Sequence, residues 1–187
     1  MQHPKLFMLM LGCRPAGRNT EQHDMFFAIG EQVSDLVPAI KAFWPEAKGN
    51  IHVDAWREVT QVNGFRIKVV PKEAIPAEAG SDKLFFLNLG GYKPGEFDEF
   101  HYKMLAVAQD QAGAVQQAKQ TAFYKHTGFK GATSHIDDKF GVDVDEVFEV
   151  KDILIAKDKQ QFRLEVMPGI AGPEDEMHLG YFQLHKL

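Results

Sequence analysis

A chain of 187 residues and 21.1 kDa makes one ordinary domain or two small ones. With 44% hydrophobic, 11% aromatic and 25% charged residues it is neither disordered, nor collagen-like, nor a disulfide scaffold, and its net charge of −5 excludes a generic binder of nucleic-acid phosphates. No apolar run approaches the roughly 20 residues of a membrane-spanning helix, and a single cysteine permits no intrachain disulfide. The expectation is therefore a cytoplasmic protein with neither a nucleic-acid nor a membrane partner.

The first predicted element is Leu6–Leu11, apolar at every position, which suits a central strand covered on both faces. Followed by Gly12-Cys13, it imitates a secretory or lipoprotein signal, yet six apolar residues fall short of a signal core of about 7–15. A second strand is predicted over Met25–Ile29. A helix follows with Leu36, Val37, Ile40, Phe43 and Trp44 as its apolar stripe, Asp35 as N-cap and Pro38 in the first turn. Val59–Val62 and Phe65–Val69 flank Asn63-Gly64, a strong hairpin signal. Residues 71–82, PKEAIPAEAGSD, have linker composition.

Lys83–Gly91, KLFFLNLGG, is a near copy of the first strand. Further strand character runs over Lys103–Val107, and a second helix is predicted over Gln109–Tyr124. In the tail, Phe162, Leu164 and Val166 alternate with Arg163 and Glu165, and a Gly/Pro loop leads to Met177–Leu184.

Set against each other 78 positions apart, residues 5–25 and 83–103 are identical at 9 of 21 positions without a gap. Unrelated chains of typical composition would match at about one or two. The identities include Gly12/Gly90, Glu21/Glu99 and His23/His101. After an insertion the register resumes at an offset of 83, matching His52 to His135 and Asp54 to Asp137. The expected class is α+β, with a mostly antiparallel sheet, built as a tandem duplication of a strand-strand-helix-strand-strand unit. Residues 1–70 form the first repeat, 71–82 the linker and 83–154 the second repeat. Residues 155–187 are expected as a C-terminal β-hairpin packed on the same core.

Two motifs nearly match and fail. Gly90 to Gly95 has the glycine spacing of a phosphate loop, but Glu96 stands where that loop needs lysine. Counted from Asp137, an EF-hand loop would need Gly at the sixth position and Glu at the twelfth; Val142 and Phe148 occupy them.

The duplicated polar pairs remain: Glu21-x-His23 with Glu99-x-His101, and His52-x-Asp54 with His135-x-Asp137. On a strand, residues i and i+2 share a face. Carboxylate beside imidazole suits metal ligation or a general base with its orienting partner. Turn capping and interstrand bonding produce the same pattern in an inherited fold.

The strings LFMLMLGCRPAGRNTEQHD, KAFWPEA, HVDAWREVT, LNLGGYKPGEFDEFHYKML and FYKHTGFKGATSHIDDKFGVDVDEV resemble a bacterial domain-of-unknown-function family. That family occurs as one or two copies per chain, and the resemblance spans nearly all of residues 5–154. It implies a bacterial cytoplasmic protein and transfers no activity, cofactor or catalytic residue.

The favoured reading of the residues is a small-molecule-binding protein with an anionic or nucleotide-like ligand. The alternatives are a metal-assisted hydrolase using the His/Asp and Glu/His pairs, and an oligomerising or partner-binding protein, a homo-oligomer included. The expected binding residues lie in the second repeat: Glu99, His101, Lys93, His135 and Asp137, with His101, His135 and Asp137 as the metal alternative. The long loop at 125–138 favours that repeat, and Trp56 and Arg57 crowd the first one. Whether the protein is an enzyme, and which cofactor it would use, stays open at this stage.

Overall fold

The computed structural model describes residues 3–75, 80–92, 95–121, 142–169 and 172–187. The chain divides into two compact units, Met1–Glu78 together with Ile153–Leu187, and Ala79–Asp152. The strands are β1 (Lys5–Cys13), β2 (Gln22–Gly30), β3 (His52–Glu58), β4 (Gln61–Val62), β5 (Phe65–Pro71), β6 (Lys83–Gly91), β7 (Phe100–Ala108), β8 (Val142–Glu149), β9 (Phe162–Pro168) and β10 (His178–Gln183). Short helices are α1 (Val37–Phe43), α2 (Gln111–Ala118), α3 (Val150–Ile153) and α4 (Ala156–Gln161). The protein is α+β, and its described residues form three small antiparallel sheets ordered β10-β3-β1-β2, β4-β5-β9 and β7-β6-β8.

In the first unit β1 is central, and both of its faces are buried as its unbroken apolar run requires. Phe7, Leu9, Leu11 and Cys13 point to one side, where Phe26 and Ala28 of β2, Val53 of β3 and Leu36 and Ile40 complete a core cluster. Pro38 lies in the first turn of α1, as its missing N–H permits. Asp35 is not the N-cap. A 3-10 turn, Val33–Leu36, precedes α1, and the Asp35 carboxylate at its third position accepts the N–H groups of Glu31 and Gln32 at 3.2 and 3.1 Å.

The hairpin at Asn63-Gly64 forms as expected, with φ of 52° and 80° at its two turn residues. These are the positive angles a two-residue turn of matching twist needs. The tail is not a hairpin. Residues 162–168 form β9 along β5, while β10 lies along β3 in the other sheet. Each segment completes a different open strand edge, and Phe182, Leu184 and Leu187 bring side chains to the core cluster.

In the second unit β6 pairs with β7 from Lys83↔Ala108 to Gly91↔Phe100, as β1 pairs with β2 from Lys5↔Gly30 to Cys13↔Gln22. Phe85, Leu87 and Leu89 pack with Ala106, Ala108, Ala114 and Ala118 in a core of its own. Helix α2 starts at Asp110, whose carboxylate accepts the Gly113 N–H at 2.8 Å. It ends at Ala118, well short of the expected Tyr124, and residues 122–141 lie outside the described set.

Candidate functional site

Because alternate residues of a strand face opposite ways, the burial of Leu11 and Cys13 turns Gly12 to the other face of the four-stranded sheet. Gly12 lies opposite His23 on β2 and opposite His52 on β3. β2 and β3, which flank β1, are roughly 10 Å apart, two interstrand spacings. With no side chain between them, both imidazoles reach inward over the Gly12 backbone. A bulge supplies the third member. Met10 pairs with Ala55 and Leu11 with Val53, so Asp54 is the extra residue that opposes no partner. Glu21, immediately before β2, supplies the fourth.

The four side chains converge. Nε2 of His52 lies 3.1 Å from Glu21 Oε1 and 3.2 Å from Asp54 Oδ1, and Nε2 of His23 lies 3.3 Å from Asp54 Oδ2 and 3.8 Å from a Glu21 oxygen. His52 and Asp54 are the inner members, with side chains 8% and 21% exposed, while His23 and Glu21 are 41% and 45% exposed. Tyr181 from β10 lies against the His52 ring, centroids 4.2 Å apart. Despite these short approaches, His52 Nε2 and Asp54 Oδ2 are buried and make no hydrogen bond. A Cβ built on Gly12 would stand 2.4 Å from each of these two atoms. The glycine is the floor of the cluster.

Cys13, next in sequence, faces the core. Burial first, then the nearby Glu21 and Glu46 carboxylates, push its thiol up from the usual range. A thiol held protonated is a poor nucleophile. Trp56 and Arg57 do not crowd the cluster. Trp56 packs against Phe7 at 6.2 Å and stacks on His178 at 3.8 Å, and Arg57 Nη2 reaches Met8 Sδ at 3.6 Å. Arg14 turns back on its own loop, with Nε donating to the Arg18 carbonyl at 3.3 Å.

Of the residues expected to bind ligand, Lys93, His135 and Asp137 lie outside the described residues. Glu99 and His101 are described: Glu99 accepts the Tyr92 hydroxyl at 2.9 Å, and His101 lies opposite Gly90. The sequence offset of 83 does not hold in the strand register. On β8 the residue opposite Gly90 is Asp143, not His135, and the bulge falls at Asp145, between Glu146 opposite Asn88 and Val144 opposite Leu89. A glycine thus sits between His23 and His52 in one unit, and between His101 and Asp143 in the other.

Two residues back along the central strand, the units differ. Met25, Met10 and Ala55 align across the first sheet, whereas Lys103, Asn88 and Glu146 align across the second. Asn88 Nδ2 donates to Glu146 Oε2 at 2.7 Å. Burial pushes the Lys103 ammonium down, and Glu146 opposes that shift. The signal for this row was the exchange of Met25 for Lys103 in an otherwise similar stretch.

Among the described residues no helix is long and apolar enough to cross a membrane. No curated protein matches the chain. Among solved structures, the chain is similar to the crystal structure of a protein Il1583 from Idiomarina loihiensis, at 22% identity and a TM-score of 0.59, over 97% of each chain. At that identity the likeness shows a shared fold. Residues 18–69 match the model of a Domain of Unknown Function, DUF1543. The resemblance read from the sequence is borne out over those residues, which contain Glu21, His23, His52 and Asp54.

Proposed function

We propose that the protein binds a small ligand, and that its site in the first unit is the imidazole–carboxylate cluster over Gly12. The carrying observation is the convergence of Glu21, His23, His52 and Asp54, from a loop end, two strands and a bulge, around buried atoms without hydrogen-bond partners. Structural capping explains one pair at a turn; it does not explain four groups drawn together over a glycine. The composition of the site argues against the anionic or nucleotide-like ligand expected from the sequence. Like charges 4 Å apart repel by about 4 kcal/mol at an effective dielectric of 20, and two carboxylates line this site. A ligand presenting positive charge or hydrogen-bond donors fits them.

The matching β1–β2 and β6–β7 registers, and a bulge at the same point of β3 and β8, support reading the chain as a tandem duplication. On that reading Gly90, Glu99, His101, Asp143 and Asp145 are the counterparts of the first site. A thermal-shift screen of the full chain tests the assignment. Ligands that raise the melting temperature should lose their effect in Glu21→Gln and His23→Gln, both exposed and safe for folding, and keep it in His178→Gln. Shifts that persist in the first two variants would remove the site from Gly12.

A second reading rests on a separate observation. β10 is an edge strand, and its Leu179 and Tyr181 are 72% and 67% exposed. Exposed apolar edges invite pairing with another strand. If this edge joins two copies, Leu179→Lys should convert a dimer to monomer in light scattering; a monomeric parent chain rejects the reading.

A further inference from the structure

We infer that the second unit carries a binding site of its own, the row Lys103, Asn88 and Glu146, and that its ligand is a free amino acid. The ligand carboxylate pairs with Lys103, and its ammonium donates to Asn88 and Glu146. The inference goes beyond the site over Gly12 and does not depend on it.

Register builds the row. Asn88 is on the central strand β6, with Lys103 opposite it on β7 and Glu146 opposite it on β8. Direct cross-strand partners have Cβ atoms about 4.5–5.5 Å apart, so three polar side chains stand abreast on one face. Phe85, Leu87 and Leu89 point the other way, into the core.

These groups do not satisfy one another. Asn88 stands between the two charges, and its Nδ2 donates to Glu146 Oε2 at 2.7 Å. That leaves Asn88 Oδ1 buried without a hydrogen bond, a costly state for an acceptor. Lys103 is half-buried, and among the described residues its ammonium forms neither an ion pair nor a hydrogen bond. Burial outweighs the pull of Glu146 and lowers its pKa, as happens to a cation short of counter-charge.

The order of the groups selects the ligand. Lys103 needs an anionic group. A simple anion fits badly, because Glu146 repels it and Asn88 Oδ1 needs a donor. The ligand must present negative charge toward β7 and N–H donors toward β8. An ammonium and a carboxylate joined through one carbon meet both demands. The lysine stem is flexible, so its charged end can follow the ligand carboxylate.

One row further along the same face, Phe86 lies between Leu105 and Phe148. Phe148 is 43% exposed, which gives an apolar side chain of the ligand an aromatic surface beside the charged row. In the first unit Met25, Met10 and Ala55 hold the equivalent positions and offer no charge.

Calorimetric titration of the full chain with L-leucine and L-phenylalanine tests this. Isocaproate and isoamylamine, which keep the leucine side chain but lack the ammonium or the carboxylate, are titrated beside them. One equivalent of each amino acid should bind. Each truncated compound should bind at least about tenfold more weakly, having lost one charge-assisted contact. Lys103→Met and Asn88→Ala should weaken leucine binding by a similar factor. So should Glu146→Gln, whose exposed position keeps the result independent of folding. His23→Gln should leave it unchanged. Failure of both amino acids to bind overturns the inference, as does isocaproate or isoamylamine binding as tightly as leucine. Binding that Lys103→Met and Glu146→Gln leave unchanged overturns it too. Binding lost in His23→Gln and kept in Lys103→Met would overturn this row and support the site over Gly12.

Discussion

Gly12 decides what its neighbours can do. Any side chain at this position would meet His52 Nε2 and Asp54 Oδ2 at less than van der Waals distance. His52 is buried and cannot simply swing away, so Gly12→Ala should cost about 1–3 kcal/mol, as overpacking does, and should abolish ligand response together with that stability. Urea denaturation beside the thermal-shift screen measures both. Loss of response without loss of stability would mean that His52 yields easily. Asp158 gives a pH dependence of defined sign. Burial pushes its carboxyl above the usual aspartate range, against the opposing effects of the Ile29 N–H, 2.7 Å away, and of Lys157. The folded chain therefore holds this proton more tightly than the unfolded one. Its contribution to stability is present below the ordinary aspartate value of about 3.9 and is lost as pH rises through the higher folded value. Asp158→Asn should flatten that part of the stability–pH curve; an unchanged slope would show that other carboxyls set it.

Among the elements, the Asn63-Gly64 hairpin was legible because its two turn residues carry the backbone angles in their identity. Gly64→Ala should cost about 1–2 kcal/mol, the penalty for an L side chain in the left-handed region. A smaller loss by chemical denaturation would mean that the turn relaxes. The strands β1 and β6 were legible for a similar reason, since an unbroken apolar run needs cover on both faces. The bulge at Asp54 was not, because a bulge depends on a partner strand and leaves no mark in its own sequence. The His52–Asp54 pair could be read as sharing a face, yet only the bulge brings Asp54 to His52 and His23. For the same reason the sequence offset of 83, which matches His52 to His135, is not the strand register, in which Asp143 of β8 lies opposite Gly90. The Arg163 guanidinium donates to the carbonyls of Pro71, Lys72 and Ala74 at 3.1, 3.0 and 2.8 Å and pairs with Glu165. The three carbonyls lie some ninety residues away in sequence, and neither spacing nor composition announces them. Arg163→Ala should lower stability by about 1–2 kcal/mol, allowing for partial exposure, and should raise amide exchange around residues 71–74.

At the scale of the whole molecule, deletion from Ile155 onward should separate the two units. The first loses β9 from β5, β10 from β3, and the core contributions of Leu184 and Phe182. The second, Ala79–Asp152, keeps its sheet and core. Amide exchange on the truncated chain should find Leu84–Leu89 still protected and Leu6–Leu11 not. Equal protection of both strands would show that the tail is dispensable.

The discontinuity of the first unit has a consequence for synthesis on the ribosome. β1 is made early, but the strand that closes the β3 edge of its sheet is β10, which follows the whole second unit in the sequence. The second unit is one continuous stretch and can fold while the chain is still growing. The order of folding should therefore invert the order of translation. In that interval the β3 edge, with His52 and Trp56 on it, is an unpaired strand carried by an unfinished chain. Slowed translation of the stretch that encodes residues 155–187 would lengthen the time that the edge stays open to other nascent chains.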